Sequence, residues 1–304
     1  MTERVAYDEF SMFHENAAEF GLEHADPPTV RRERVEVAPG RSLSALVWGD
    51  PPPEIVLLHG GAQNAHTWDT VALALGRPLV AIDLAGHGHS DPILDGSALD
   101  LATSAADVAT VIRRLAPDAQ VVAGMSLGGL TTLALYAQAP DLVRRIVLVD
   151  VTPGVDGEKS KAIAAFVDGP AGFDSFDAIL ARTIEHNPTR TVASLRRGVL
   201  HNALQLEDGT WVWRHARGRG LHRDGEGQPF QGFAPLWDVV STVTVPLMLA
   251  RGMREQSVVD DADEAELLRR CPHARIEHFA DAGHSLQGDT PVEFAAVLAD
   301  FIGT

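Results

Sequence analysis

Ser126 stands in the run Gly124-Met125-Ser126-Leu127-Gly128, a spacing that makes a serine useful to chemistry only in one structural setting. The residues before it, Gln120-Val121-Val122-Ala123, read as a buried strand, and Leu130, Leu133, Ala134 and Ala137 behind it recur at helical spacing. The serine therefore falls at a strand-to-helix junction, where a tight turn holds the hydroxyl above the end of a sheet. Glycine on either side tolerates dihedrals and close contacts that a Cβ would forbid. The competing reading is a Gly-rich structural turn with no chemistry. A serine hydroxyl so displayed can attack a carbonyl carbon, provided that a base lies within hydrogen-bonding reach. Of the thirteen histidines, His284 is the best candidate. It follows the strand-like residues 275–279, sits in the loop Ala282-Gly283-His284, and precedes a helix signalled by Thr290 as N-cap, Pro291 at the first position and Glu293 as capping-box partner.

The elements that must hold these side chains are legible as alternation. Apolar runs of strand length at 55–58, 79–82, 120–123, 146–149 and 247–250 end in Gly- or Asp-containing turns and mostly lead into helical patterns, which indicates a parallel sheet buried on both faces. Upstream, after Pro27-Pro28, residues 34–37 and 43–48 flank Pro39-Gly40 and read as a hairpin. Phe10, Phe13, Ala17 and Phe20 predict an amphipathic helix over 7–20 that packs on the domain, its functional alternative being a lid. The alternation breaks between Asp150 and Val245. Helical patches near Ala162, Ala178 and Leu195 and a Gly-rich stretch at 218–232 make this a cap subdomain, since structureless loops of that length are rare in compact domains. The boundaries are an N-terminal extension at 1–32, a core at 33–151 and 241–304, and a cap at 152–240. Phe166, Phe173, Phe176, Trp211, Trp213 and Trp237 are each equally a pocket wall or part of the cap's own core. Trp211-Val212-Trp213 has the alternation of a strand.

Taken in order, His59-Gly60-Gly61-Ala62, the run from Asp83 through Gly86-His87-Gly88-His89-Ser90, the serine turn and Ala282-Gly283-His284 resemble the α/β-hydrolase family over 35–302. The resemblance implies an α/β-hydrolase fold: a mostly parallel eight-stranded sheet flanked by helices, with a mainly helical cap inserted after the sixth strand. It also implies Ser126 as nucleophile, His284 as general base, and oxyanion donors at the N–H of Leu127 and of Gly61 or Ala62. The third member, an acid that orients the imidazole, is Glu255, three residues past Gly252, or Asp150 at the end of the strand at 146–149. Both lie at strand C-termini, where parallel sheets bind ligands, and both keep the order serine, acid, histidine. Asp260 and Asp261 instead read as caps of a helix starting near Ala262. His59 reads as a residue orienting its loop in preference to a second base, and Trp68 as packing at the start of the next helix, its alternative being a pocket wall.

Other chemistries find less support. His87 and His89 between Asp83 and Asp91 carry metal-ligand types, but the same run matches the family's structural turn, so no metal and no cofactor is expected. Neither a phosphate-binding loop nor a dinucleotide fingerprint is present. Serine at the turn, in place of the aspartate of dehalogenases and epoxide hydrolases, selects acyl transfer: ester or lactone hydrolysis first, then thioester, amide or carbon–carbon cleavage. A ligand receptor or a cofactor-free oxygenase is the alternative of another class. A formal charge of −17, from 42 acidic against 25 basic residues, disfavours nucleic acid and anionic membranes. The single cysteine, Cys271, excludes an internal disulfide. No signal-like or membrane-spanning run stands out, so a cytoplasmic protein acting on a small molecule is expected, with a homo-oligomer left open. The aromatic and acidic cap suggests a mid-sized, uncharged, moderately hydrophobic substrate. The absence of a basic cluster disfavours phosphorylated ones, although one or two well-placed arginines could serve.

Overall fold

A computed structural model describes residues 4–23, 28–92, 100–187, 189–215 and 233–303. After α1 (Phe13–Glu19), β1 (Val30–Ala38) and β2 (Arg41–Trp48) form the expected hairpin. Then β3 (Ile55–Leu58) runs through a 3-10 turn (Ala65–Trp68) into α2 (Asp69–Leu75). β4 (Leu79–Asp83), α3 (Leu101–Leu115), β5 (Val121–Met125), α4 (Leu127–Gln138) and β6 (Ile146–Val149) follow in alternation. Between β6 and the next strand of the main sheet come α5 (Lys161–Val167), α6 (Phe176–His186), α7 (Val192–Asn202), a small hairpin of β7 (Ala203–Gln205) and β8 (Trp211–Trp213), and α8 (Leu236–Ser241). The chain closes with β9 (Leu247–Gly252), α9 (Asp261–Arg270), β10 (Arg275–Phe279), α10 (Leu286–Asp289) and α11 (Pro291–Ile302).

The main sheet has eight strands in the order β1-β2-β4-β3-β5-β6-β9-β10, with β2 antiparallel to both of its neighbours and the rest parallel. Continuous apolar runs are what such strands need, because their successive side chains enter two different cores. Val56, Leu58, Val80, Ile82, Val122 and Leu148 face the layer of α3, α4 and α8. Ile55, Leu57, Leu79, Ala81, Val121 and Val147 face that of α1, α2 and α11. Trp68 is fully buried in the second core, as its position ahead of α2 suggested.

Several local expectations change. The N-terminal helix spans only Phe13–Glu19, and of its four apolar positions Phe13 and Ala17 are buried while Phe10 and Phe20 are partly so. Asp260 caps α9 in a full capping box with Asp263. The capping box expected at Thr290 does not form: its hydroxyl turns back to the Leu286 carbonyl, since α10 arrives directly before it. The Gly-rich residues 218–232 and Pro27 lie outside the described residues. Among the described residues, no helix is long and apolar enough to cross a membrane.

Candidate active site

Strand order brings the chemistry together. β3 and β5 are neighbours although β4 intervenes in sequence, so the chain reverses its direction of progress across the sheet at this point. Leu58 pairs with Gly124, and the loops leaving β3 and β5 emerge side by side. A crevice of this kind is where open parallel sheets bind ligands. β6 and β9 extend the row, with Met125 opposite Val149 and Val149 opposite Ala250. Residues 59–62, 126, 150 and 252–258 therefore share one edge of the sheet.

At the end of β5, Ser126 takes φ 49° and ψ −116°, a conformation uncommon for residues with a side chain and typical of a serine forced out of a tight strand-to-helix turn. The flanking glycines are required by space. A Cβ at Gly124 would fall 2.3 Å from the Gly128 backbone, and one at Gly128 would fall 2.4 Å from the Leu58 carbonyl oxygen. Ser126 Oγ has no hydrogen-bond partner among the described residues, and the residue lines a cavity of about 860 Å³ that also contains His284.

His284 is held from behind. Its Nδ1 lies 2.9 Å from Asp150 Oδ2, with the histidine side chain 11% exposed and the aspartate fully buried. Asp150 adopts a positive φ of 46°, which turns its carboxylate across the end of β6. The other acceptor sites of that carboxylate are filled by Gly252 N–H at 2.9 Å, Ser257 hydroxyl at 2.6 Å and Val258 N–H at 3.0 Å. The segment after β9 thus wraps around Asp150. Glu255 projects from the outside of that wrap, exposed on the cavity lining and without a hydrogen bond to His284. Ser257 and Val258 were not singled out from sequence, and nothing in their types marks them.

The loop after β3 is fixed by two neutral histidines. His59 donates from Nδ1 to the Gly60 carbonyl at 2.7 Å and accepts Leu84 N–H on Nε2 at 2.9 Å. Burial drives its pKa down to about 3, so it is a fixed dipole, in keeping with a loop-orienting residue. His87 donates from Nδ1 to the Ala85 carbonyl at 3.0 Å, accepts Ala62 N–H on Nε2 at 3.2 Å, and is likewise pushed down by burial. Ala62 N–H is therefore occupied, whereas the N–H groups of Gly61 and Leu127 have no protein acceptor among the described residues. Leu127 opens α4, whose N-terminal end favours negative charge. Replacing His87 with alanine should slacken this loop. The expected result is a kcat about 10-fold to 100-fold lower, short of the roughly 100- to 1,000-fold loss that follows outright removal of an oxyanion donor, a KM within about threefold, and partial recovery in His87→Gln, read by steady-state kinetics.

The two carboxylates of the suspected metal run are engaged otherwise. Asp83 receives Ala65 N–H at 2.7 Å, His89 N–H at 3.0 Å and Arg32 at 2.8 Å, and Asp91 pairs with Arg34 at 2.9 Å. A different group has metal-ligand types in reach of one another: His66, Asp69 and His201, with donor atoms within 4.8 Å. In the fold these groups bond one another and the N-terminal segment, although Asp69 Oδ1 is buried without a partner. His66 bonds Asp69 at 2.9 Å and Glu9 at 3.1 Å, and His201 bonds Tyr7 at 2.8 Å. Burial pulls the His66 pKa down, yet Asp69 and Glu9 outweigh it and hold it up at about 9. The two imidazoles stack at 3.8 Å and 12°, so their in-plane lone pairs run parallel instead of converging on one ion. Sequence separation from 69 to 201 hid this cluster. Of the aromatic wall candidates, Phe166 and Trp213 line the cavity, Phe173, Phe176 and Trp211 pack into a core between α6, α7 and the small hairpin, and Trp237 joins the core under α4.

The fold, the strained serine turn and the part-buried histidine–aspartate pair define an α/β protein with a serine displayed at a strand-to-helix turn. Residues 55–297 match the model of the alpha/beta hydrolase family, and the chain belongs to that family. It is 43% identical to esterase Rv0045c of Mycobacterium tuberculosis over 309 residues, covering 99% of this chain and 98% of that one. A crystal structure of the same esterase superposes with a TM-score of 0.85, covering 99% and 100% of the two chains at 42% identity. The chain is also 28% identical to a 3-hydroxybutyrate-oligomer hydrolase of Cupriavidus necator over 274 residues, 84% of this chain and 91% of that one.

Proposed function

We propose that this chain is a serine esterase acting through an acyl-enzyme, with Ser126 as nucleophile, His284 as base and Asp150 as the acid that orients it. The observation that carries the reading is the 2.9 Å contact of Asp150 with His284 on the cavity that Ser126 enters. With Nδ1–H donated to Asp150, the Nε2 lone pair is free for the serine proton. Substrate closes the gap between Ser126 Oγ and His284, as is common where apo contacts are long. Attack forms a tetrahedral intermediate whose oxyanion takes the free N–H groups of Leu127 and Gly61. Ala62, already bonded to His87, supports the loop. His284 returns the proton to the departing alkoxide and then activates water to release the acid.

Residues 152–240 act as the cap that sets substrate size. About 860 Å³, bounded by Phe166, Trp213, Leu130 and Ile163, suits a mid-sized acyl or alkoxy group, lactones included. The named activity of the M. tuberculosis relative, an esterase, supports the same class. A fluorophosphonate probe followed by peptide mass mapping tests the mechanism: one adduct on Ser126 is expected, together with turnover of 4-nitrophenyl butyrate or hexanoate. Absence of both the adduct and turnover would return the fold to a receptor or oxygenase role.

A further inference from the structure

The cavity is lined by three lysine or arginine side chains among the described residues, and two are already neutralised. Lys159 pairs with Asp260 at 2.9 Å and Asp263 at 2.6 Å, and Arg197 pairs with Glu15 and Glu19. Arg190 has no carboxylate partner among the described residues. Its Nη2 donates to Ser194 Oγ at 2.5 Å, its Nε is buried without a partner, its Nη1 has no protein acceptor among the described residues, and the residue lines the cavity. The nearby acids act on it only through space: Asp289 accepts Gly283 N–H at 2.9 Å, Glu19 holds Arg197, and neither forms an ion pair with Arg190 among the described residues. Burial pushes the guanidinium below its ordinary value, partly offset by Asp289 and Glu19.

Helix geometry does not account for this charge. Arg190 precedes the first turn of α7, where a cation opposes the helix dipole and an anion is favoured. The guanidinium lies against Gly288, where a Cβ would fall 2.5 Å from Nη1, and Gly288 is four residues past His284. A half-buried cation is thus set beside the general-base loop, with donors left over after Ser194 and no carboxylate in ion-pair contact among the described residues. Groups of this kind are costly unless a partner arrives. The guanidinium fork matches carboxylate geometry.

Resting on the esterase reading above, we infer that Arg190 binds a carboxylate carried by the substrate, so that the preferred esters are those of dicarboxylic or hydroxy acids with one free acid group. This departs from the uncharged substrate suggested by composition, where one cation disappears among 42 acidic residues.

Two matched pairs test it, one for each side of the scissile bond: 4-nitrophenyl hydrogen adipate against its methyl ester, and 3-butyryloxybutanoate against its methyl ester. The wild type should prefer the free acid in at least one pair by about tenfold or more in kcat/KM. In Arg190→Gln that preference ratio should fall about 10- to 100-fold, the range for a hydrogen bond to a charged group, with Arg190→Lys retaining part of it. Gly288→Ala, which displaces the guanidinium while keeping its charge, should lower the ratio as well. A wild type that takes the fluorophosphonate label and hydrolyses the methyl esters without preferring either acid overturns the carboxylate site alone, whatever the variants do. A preserved ratio in Arg190→Gln also overturns it. Loss of label and of all ester turnover in the wild type instead removes the esterase reading beneath it.

Discussion

Ester turnover in Ser126→Ala is expected to fall by about four to six orders of magnitude in kcat, the scale seen when the nucleophile of a serine triad is removed. The proposed oxyanion donors, the N–H groups of Leu127 and Gly61, and the cavity survive the change, so the residual rate should exceed that of water, and KM should move little. The fold should survive too. The Ser126 backbone is fixed by its N–H to the Val149 carbonyl at 3.2 Å and by its own carbonyl, which accepts from Gly129 at 2.9 Å and Leu130 at 3.1 Å. None of these contacts uses the hydroxyl. Alanine does retain the cost of a positive φ, of order 1–3 kcal/mol in either residue. Unchanged melting temperature with lost turnover and lost fluorophosphonate labelling is the expected pattern. A variant that kept full activity would place the nucleophile elsewhere.

The second large effect separates the two acids. Asp150→Asn should lower kcat about 10⁴-fold, because an amide can present an N–H to His284 Nδ1 and stabilise the tautomer with its proton on the wrong nitrogen. It also weakens the acceptor for Gly252 N–H, the Ser257 hydroxyl and Val258 N–H, so some loss of stability should accompany the loss of rate. Glu255→Gln should change kcat less than tenfold, since Glu255 is exposed and makes no hydrogen bond to the imidazole. Measuring both variants under the same conditions, with circular dichroism to confirm folding, decides between them. A collapse in Glu255→Gln with an active Asp150→Asn would reverse the assignment.

These two carboxylates show where sequence reading stops. Each follows a strand of the same sheet, each preserves the order of serine, acid and histidine, and the difference between them lies in the backbone. Asp150 has a positive φ that sends its side chain across the strand ends, and residues 252–258 close around it with Glu255 on the outer side. Neither a positive φ at an aspartate nor the direction of a wrapping loop leaves a mark in residue type. The same limit applies to Gly61 and Ala62, adjacent residues whose N–H groups differ only because His87, twenty-five positions on, accepts one of them.

Ser126 was legible because its demands are local. The two glycines, the strand before and the helix after all fall within about twenty residues, and steric exclusion at Gly124 and Gly128 restricts those positions to glycine. The sheet was legible for a related reason: strands buried on two faces must be apolar throughout, and β3, β4, β5, β6 and β9 announce themselves by composition. What required the tertiary structure was every relation across the chain. The Asp150–His284 pair, the free N–H at Gly61, the histidine cluster spanning 66 to 201 and the unpaired cation at Arg190 depend on which groups meet after folding. Hydrogen bonds and ion pairs act over a few ångströms, and sequence separation carries no information about distances on that scale.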